Sequence, residues 1–242
     1  MPVIFAIVFA LLSVSSSLHA QETPPVLVDP EKHADSSFVK DFLLDQQDLW
    51  ESPLKIKRGD VKWLAPIGLG AAALLSTDWR VSETVRRSES LHSPSKAVSK
   101  LGGGLPMAAA SASLWTIGKL TNNDRVARTG RLATAAVLQT ELLVGGIKLI
   151  ASRERPDKIG GHGGFRDGGQ SFPSGHTATS FAFATVVAHE YRDKPWVSVG
   201  AYGLATAIGL SRVGGLRHFP SDVLIGATIG HLIGRYILRH HE

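Results

Sequence analysis

The chain has 242 residues, 43% of them hydrophobic and 19% charged, with a formal charge of +5 and no cysteine. That length suits one substantial core, the apolar excess excludes a disordered chain, and the missing thiols exclude disulfides, thiolate metal sites and cysteine nucleophiles. Lys and Arg are spread along the chain rather than massed in a basic stripe with interleaved aromatics, so no nucleic-acid partner is expected.

In chain order, Val3 to Leu12 is an unbroken apolar run, followed by Ser13, Ser15, Ser16 and Ser17, then Leu18, His19 and Ala20, and then a polar stretch. This is the pattern of a secretory signal cleaved near Ala20. Residues 1–20 are therefore expected to direct export, and residues 21–60 to form a polar N-terminal segment. Within it, Phe38, Phe42, Leu43 and Leu49 mark a short amphipathic helix over Ser36–Trp50. Six apolar segments follow, over about 61–76, 101–120, 128–152, 174–190, 196–210 and 222–238. None alternates with period two, and their lengths favour helices over strands. Gly102, Gly103, Gly104 and Pro106 loosen the second. Turn chemistry separates the others at Asn122-Asn123-Asp124, in the glycine-rich stretch 160–169 and at Gly214-Gly215. The expected fold is all-α: a bundle of about six core helices over residues 61–242, with antiparallel neighbours joined mostly by short loops.

Polar and charged residues gather where these apolar segments end. Lys148, Arg153, Arg155 and Pro156 close the third segment. Pro173-Ser174-Gly175-His176 opens the fourth. Ser211-Arg212, His218 and Asp222 bridge the fifth and sixth. Antiparallel packing would bring these ends to one face. The set suits phosphoryl transfer, in which negative charge spreads over the equatorial oxygens. Lys148, Arg155 and Arg212 supply positive charge, and arginine presents a planar fork of donors to phosphate. Ser174 offers a hydroxyl. The Gly175 N–H, at a helix start, can approach an anion closely. His218 lies four residues before Asp222, a spacing that puts both on one face of a helical turn. The carboxylate would then fix the imidazole tautomer that leaves the other nitrogen free to attack phosphorus. His176 would protonate the leaving oxygen and afterwards activate water. The cations do the neutralising, so no metal and no cofactor is expected. Arg153 and Arg217 are read as substrate-touching or solvent-facing, His162 as a residue that could line the entrance, and Glu141 as a hydrogen-bonded or surface carboxylate.

The spacing of these clusters resembles the signature of the type 2 phosphatidic acid phosphatase superfamily, which also holds bacterial non-specific acid phosphatases and vanadium-dependent haloperoxidases. The matching residues are Lys148-LIASRE-Arg155-Pro156, Pro173-Ser174-Gly175-His176 and Ser211-Arg212-VGGLR-His218-FPS-Asp222. The resemblance spans about residues 60–240. It implies a helical bundle, with Lys148, Arg155, Ser174, Gly175 and Arg212 at the phosphate, His218 as nucleophile, His176 as acid and Asp222 as the partner of His218. It implies a phosphatase acting on a lipid phosphate, an isoprenoid pyrophosphate or a small phosphoester. The alternatives are a vanadate-dependent haloperoxidase and a non-catalytic membrane or scaffold protein of the same fold.

Location follows from a count of crossings. If the signal is removed and all six segments span, Lys148 lies on the cytoplasmic side, whereas exported relatives usually work on the outer face. The sequence therefore favours, slightly, an exported periplasmic or envelope protein that is soluble or peripherally attached over an integral one, with membrane contact still open. Oligomeric state is not readable from the sequence.

Overall fold

A computed structural model describes residues 38–88, 92–158 and 162–241. The signal-like segment and most of the polar stretch that follows it lie outside the described residues. The chain divides at Lys55–Ile56 into two units. In the first, α1 (Phe38–Glu51) runs into a 3-10 turn at Ser52–Lys55, where Lys55 meets Asp48 at 2.8 Å and Glu51 at 3.1 Å. This is the amphipathic helix expected over Ser36–Trp50.

The second unit holds α2 (Val61–Arg86), α3 (His92–Ser99), α4 (Gly104–Leu120), α5 (Asp124–Ala151), α6 (Gly175–Glu190), α7 (Pro195–Gly214) and α8 (Pro220–His241). Among the described residues there is no strand, so the all-α expectation holds. Each of the six apolar segments is a helix. The first extends ten residues further than its apolar run, to Arg86. Short α3 was not foreseen, because its sequence is polar.

Local chemistry sets the ends. Asn123 caps α5, its side chain accepting from the Val126 N–H at 3.2 Å. The helix stops at Ser152, which takes left-handed backbone angles (φ 42°). Pro195 starts α7 at a position where its missing N–H costs nothing.

Helix α6 is the spine. It packs against α4, α5, α7 and α8. Most of its buried residues are small, including Ala178, Ala182, Ala184 and Thr177. A helix contacted on all sides needs no polar face, which is why its sequence shows no amphipathic stripe. The α6–α8 contact is close. Gly226, Gly230 and Gly234 form one stripe on α8, and a Cβ on Gly230 would stand 2.0 Å from the Ala178 carbonyl oxygen. The two backbones touch where no side chain fits.

Replacing Gly230 by Val should therefore force α8 off α6. Overpacking typically costs about 1–3 kcal/mol and occasionally more, and a thermal melt of purified G230V should show a clear loss of stability. An unchanged melting temperature would mean the helices can separate without cost.

Candidate active site

The C-terminal ends of α5 and α7 and the N-terminal ends of α6 and α8 meet on one face, and the three charged clusters meet with them. The link from α5 to α6 is built by main-chain bonds. The Glu154 N–H donates to the Gly164 carbonyl (3.0 Å), Asp167 to Ser152 (2.9 Å) and Ser171 to Arg153 (2.9 Å). This folds residues 162–169 of the glycine-rich stretch back on the end of α5 and leaves Ser171 beside His218. The Ser174 N–H then donates to the Asp222 carbonyl at 3.0 Å, joining α6 to α8.

His218 lies in the turn between α7 and α8. The N–H groups of Arg217 and His218 both donate to the Arg212 carbonyl, at 2.9 and 3.2 Å, so the loop wraps the end of α7 and carries the ring inward. The side chain is buried, and its Nδ1 is 2.6 Å from the Ser171 carbonyl oxygen. A carbonyl only accepts, so Nδ1 carries the proton and Nε2 keeps its lone pair. Asp222 is less direct than the four-residue spacing suggested, its Oδ2 approaching Nδ1 only to 3.8 Å. Its carboxylate is occupied elsewhere: Oδ2 accepts from Ser171 Oγ at 2.5 Å and from the Phe219 N–H at 2.9 Å, and Oδ1 from Arg153 Nη1 at 2.5 Å. Since α8 begins at Pro220, Asp222 sits in its first turn and reaches back to the residue before the helix, as capping carboxylates do. His218 precedes the helix, so the helical spacing rule does not govern the pair.

The cations gather around it. A Cβ on Gly175 would stand 3.2 Å from Lys148 Nζ, so the lysine ends at the first residue of α6. Arg155, Arg212, Lys148, His176 and His218 lie within electrostatic reach of one another. Arg212 is 8% exposed, one end of its fork meets the hydroxyl of Ser99, and its buried Nε–H has no partner among the described residues. A buried guanidinium donor without an acceptor costs free energy unless a ligand supplies one. Ser174 is fully buried and its Oγ shares a 2.8 Å hydrogen bond with Thr177 Oγ1. It is the N-cap residue of α6, but its side chain caps no N–H.

The segment joining α3 to α4 closes one side. Gly102 is held by Thr179 Oγ1, which donates to its carbonyl at 3.0 Å. A Cβ on Gly103 would lie 3.4 Å from His176 Nε2, so the backbone passes directly over that ring. Ser99, Gly102 and Gly103 thus belong to the site, though nothing in their sequence pattern marks them. Beside Arg212 opens a cavity of about 580 Å³, whose lining includes Ser95, Ser99, Lys100, Ser211 and Arg217.

Arg217 lines that cavity and pairs with Asp157 at 2.7 Å on the surface. His162 lies against Trp79, the rings tilted by 51° with centroids 4.5 Å apart. His231 meets Tyr202 and Thr185 inside the bundle. Glu141 of α5 does not lie apart from the site: a Cβ on Gly104 would stand 2.5 Å from its Oε1, and it is within electrostatic reach of Lys148. His240 stacks on Tyr236 at the end of α8. Arg153 fits neither of its expected roles. It is 2% exposed and bridges two buried carboxylates, Asp222 and Asp78 of α2. Asp78 was missed because the apolar run ends at Ser76; a lone Asp just past such a run was the available signal.

Comparison with known proteins bears on family and fold. Residues 130–242 match the PAP2 superfamily. The matched region runs from α5 to the end of α8 and contains all three motifs. Two relatives are similar in part. Over 65 residues the chain is 52% identical to a lipid A 1-phosphatase of Porphyromonas gingivalis, covering 26% of this chain and 15% of that protein. Over 86 residues it is 37% identical to a probable diacylglycerol pyrophosphate phosphatase of Schizosaccharomyces pombe, covering 31% of each. The chain therefore aligns with less than a third of the length of either relative. A crystal structure of a transmembrane PAP2-type phosphatidylglycerolphosphate phosphatase from Bacillus subtilis superposes with a TM-score of 0.54 at 23% identity, over 72% of this chain and 93% of that one. At that identity the likeness establishes the fold.

Burial pushes the His218 pKa down to about 4, and the Asp222 carboxylate, which acts in the opposite sense, does not overcome it. The folded chain thus holds His218 neutral, while the unfolded chain binds a proton near pH 6.5. Between about pH 6.5 and 4 the unfolded state carries the extra proton, so stability falls as pH falls through that window and levels off below it. His218→Gln should flatten this slope. Melting temperatures of wild type and H218Q at pH 7, 5.5 and 4.5 test it; parallel curves would show that His218 is not the titrating group.

Proposed function

We propose that this protein is a phosphatase acting on a lipid phosphate through a covalent phosphohistidine at His218, without a metal. The observation that carries the reading is the His218 tautomer: Nδ1 is committed to the Ser171 carbonyl, which leaves a neutral, nucleophilic Nε2 amid Lys148, Arg155 and Arg212. The partnerless Nε–H of Arg212 supports it as a donor awaiting an anion.

The chemistry runs in two balanced steps. The Nε2 lone pair forms a bond to phosphorus while the ester P–O bond breaks, and the leaving oxygen takes its proton from His176, which enters as the imidazolium favoured by the bound phosphate anion and becomes neutral. Water then gives a proton to His176 and its oxygen attacks phosphorus, the N–P bond breaks, and inorganic phosphate leaves. Lys148, Arg155 and Arg212 spread their charge over the phosphoryl oxygens, with the Gly175 N–H at the start of α6 as a further donor. Asp222 holds both neighbours of the nucleophile, Ser171 and Phe219, and so acts on His218 through them.

The lipid assignment rests on surface as well as on the relatives. Large apolar side chains face outward on α2 (Trp63, Leu69), α4 (Leu105, Ile117, Leu120), α5 (Leu142, Leu149, Ile150) and α7 (Trp196, Val199). An exposed apolar surface on so many helices marks contact with something apolar. Helix α5 is also long and apolar enough to cross a membrane, with a mean hydropathy of 1.4 in its most apolar window. The reading is therefore a membrane-embedded enzyme, and it departs from the soluble or peripheral form that the sequence slightly favoured. Membranes washed with carbonate should retain the protein until detergent is added; release by osmotic shock or carbonate would refute embedding.

Phosphate release from phosphatidate, a lipid pyrophosphate, a nucleotide monophosphate and a chromogenic ester, with and without EDTA, tests the activity. The lipid substrates should be preferred and EDTA should leave rates unchanged. His218→Ala should lower kcat by about a thousandfold or more, as expected when a nucleophile is removed. Full activity in H218A, or turnover abolished by EDTA and restored by a divalent ion, would overturn the mechanism.

A further inference from the structure

Arg153 lies outside the phosphate-binding set, yet it is the most fully engaged side chain near His218. Nη1 donates to Asp222 Oδ1 (2.5 Å) and to Ser221 Oγ (2.8 Å), Nη2 to Asp78 Oδ2 (2.8 Å), and Nε to the Gly163 carbonyl (3.0 Å). The rings of Phe219 and Phe165 lie 4.4 and 4.9 Å from its guanidinium carbon. Asp78 also accepts from the N–H of Ser221 at 3.1 Å and from its hydroxyl. Each carboxylate therefore meets donors, as ionised carboxylates do. One buried cation stands between two buried anions, 2% exposed at Arg153 and Asp78 and 0% at Asp222.

A bridge that merely held α2 to α8 would be neutral with one carboxylate. The second leaves the cluster one negative charge in excess, and a carboxylate oxygen of that cluster lies 3.8 Å from His218 Nδ1. We propose that Asp78, Arg153 and Asp222 form a buried charge-setting clamp, which holds Asp222 off the imidazole and keeps one negative charge beside it to meet the positive charge of the phosphorylated ring. The balance follows from the first step above, on which this inference rests. Nε2 gives its pair to phosphorus while Nδ1 keeps its proton, so the ring becomes cationic as the N–P bond forms. That charge then faces a net anion rather than a neutral pair. Arg153 and Asp78 touch neither substrate nor reacting atoms and are positioning residues.

The charged groups facing His218 are Lys148 from α5, His176 from α6, Arg212 from α7 and Asp222 from α8, with Arg155 close by and Asp78 of α2 acting through Arg153. Only the clamp can be altered without touching the phosphate ligands. Removing its cation in Arg153→Gln leaves two anions beside the ring and raises its proton affinity. The acid limb of kcat/KM for phosphatidate in detergent micelles should then move up by about one pH unit. Arg153→Lys keeps the charge and should leave the limb in place. Asp78→Asn makes the clamp neutral; at neutral pH its kcat, per folded enzyme, should fall about tenfold while KM stays within about threefold.

A limb that does not move in R153Q, with kcat per folded enzyme unaltered in D78N, would overturn the clamp and leave a structural bridge. If R153Q does not fold, D78N alone decides by the same kcat criterion. Failure of the phosphatase reading looks different: the wild-type protein itself would release no phosphate.

Discussion

The buried contact of Arg153 with Asp78 and Asp222 is the constraint on which the catalytic face depends. It joins residues far apart in the sequence, from the middle of α2, from the end of α5 and from the first turn of α8. Desolvating three charges costs several kcal/mol per ion, and the cost is offset only because nearly every donor and acceptor has a partner. Removing one member would leave an unpaired buried charge, a change that typically costs about 3–5 kcal/mol. The loop carrying His218 and the segment carrying Ser171 are both tied to this cluster through Asp222. The position of the imidazole is thus inherited from an interaction it does not itself make.

Small residues supply the second requirement. Helix α6 can touch four neighbours because its surface is mostly Ala, Thr, Ser and Gly, and because α8 offers a glycine stripe to it. Close packing fixes the helix ends relative to one another. The groups proposed to bind phosphate sit at those ends, on α5, α6 and α7, with Arg155 in the loop after α5. Packing and site are therefore one problem: a shift of α8 against α6 would move Asp222 away from Ser174, whose N–H its carbonyl accepts.

Much of this was legible in the sequence. The apolar runs lacked period-two alternation, and each became a helix. The three clusters lay at the ends of those runs, and antiparallel packing brought them together. What stayed hidden depended on contacts between distant segments. Asp78 looked like a polar residue past a finished helix, because the helix continues beyond its apolar stretch. Arg153 looked like a bystander, because only the folded loop reveals two carboxylates around it. Ser171 meets His218 through its carbonyl and Gly103 meets His176 through its backbone, contacts that no side-chain pattern announces. The pairing of His218 with Asp222 was read from helical spacing, and it became indirect because α8 starts two residues after the histidine.

The exposed apolar faces give the catalytic face its setting. Helices α2, α4, α5 and α7 carry large apolar side chains outward, while the groups proposed to bind phosphate gather at one end of the bundle and a second charged cluster, Arg125 and Arg128 with Glu190 and Asp193, lies at the other. A lipid phosphate presents the same division, with an apolar tail and an anionic head. The central claim is that His218 bonds to phosphorus, and one measurement tests it directly. Enzyme mixed with phosphatidate should be quenched in alkali, where phosphohistidine survives, and its peptides mapped by mass spectrometry. The account requires a phosphoryl group on the peptide carrying His218, formed and lost at the rate of turnover. Turnover with no phosphopeptide at any time, or with the group on His176 instead, would contradict it.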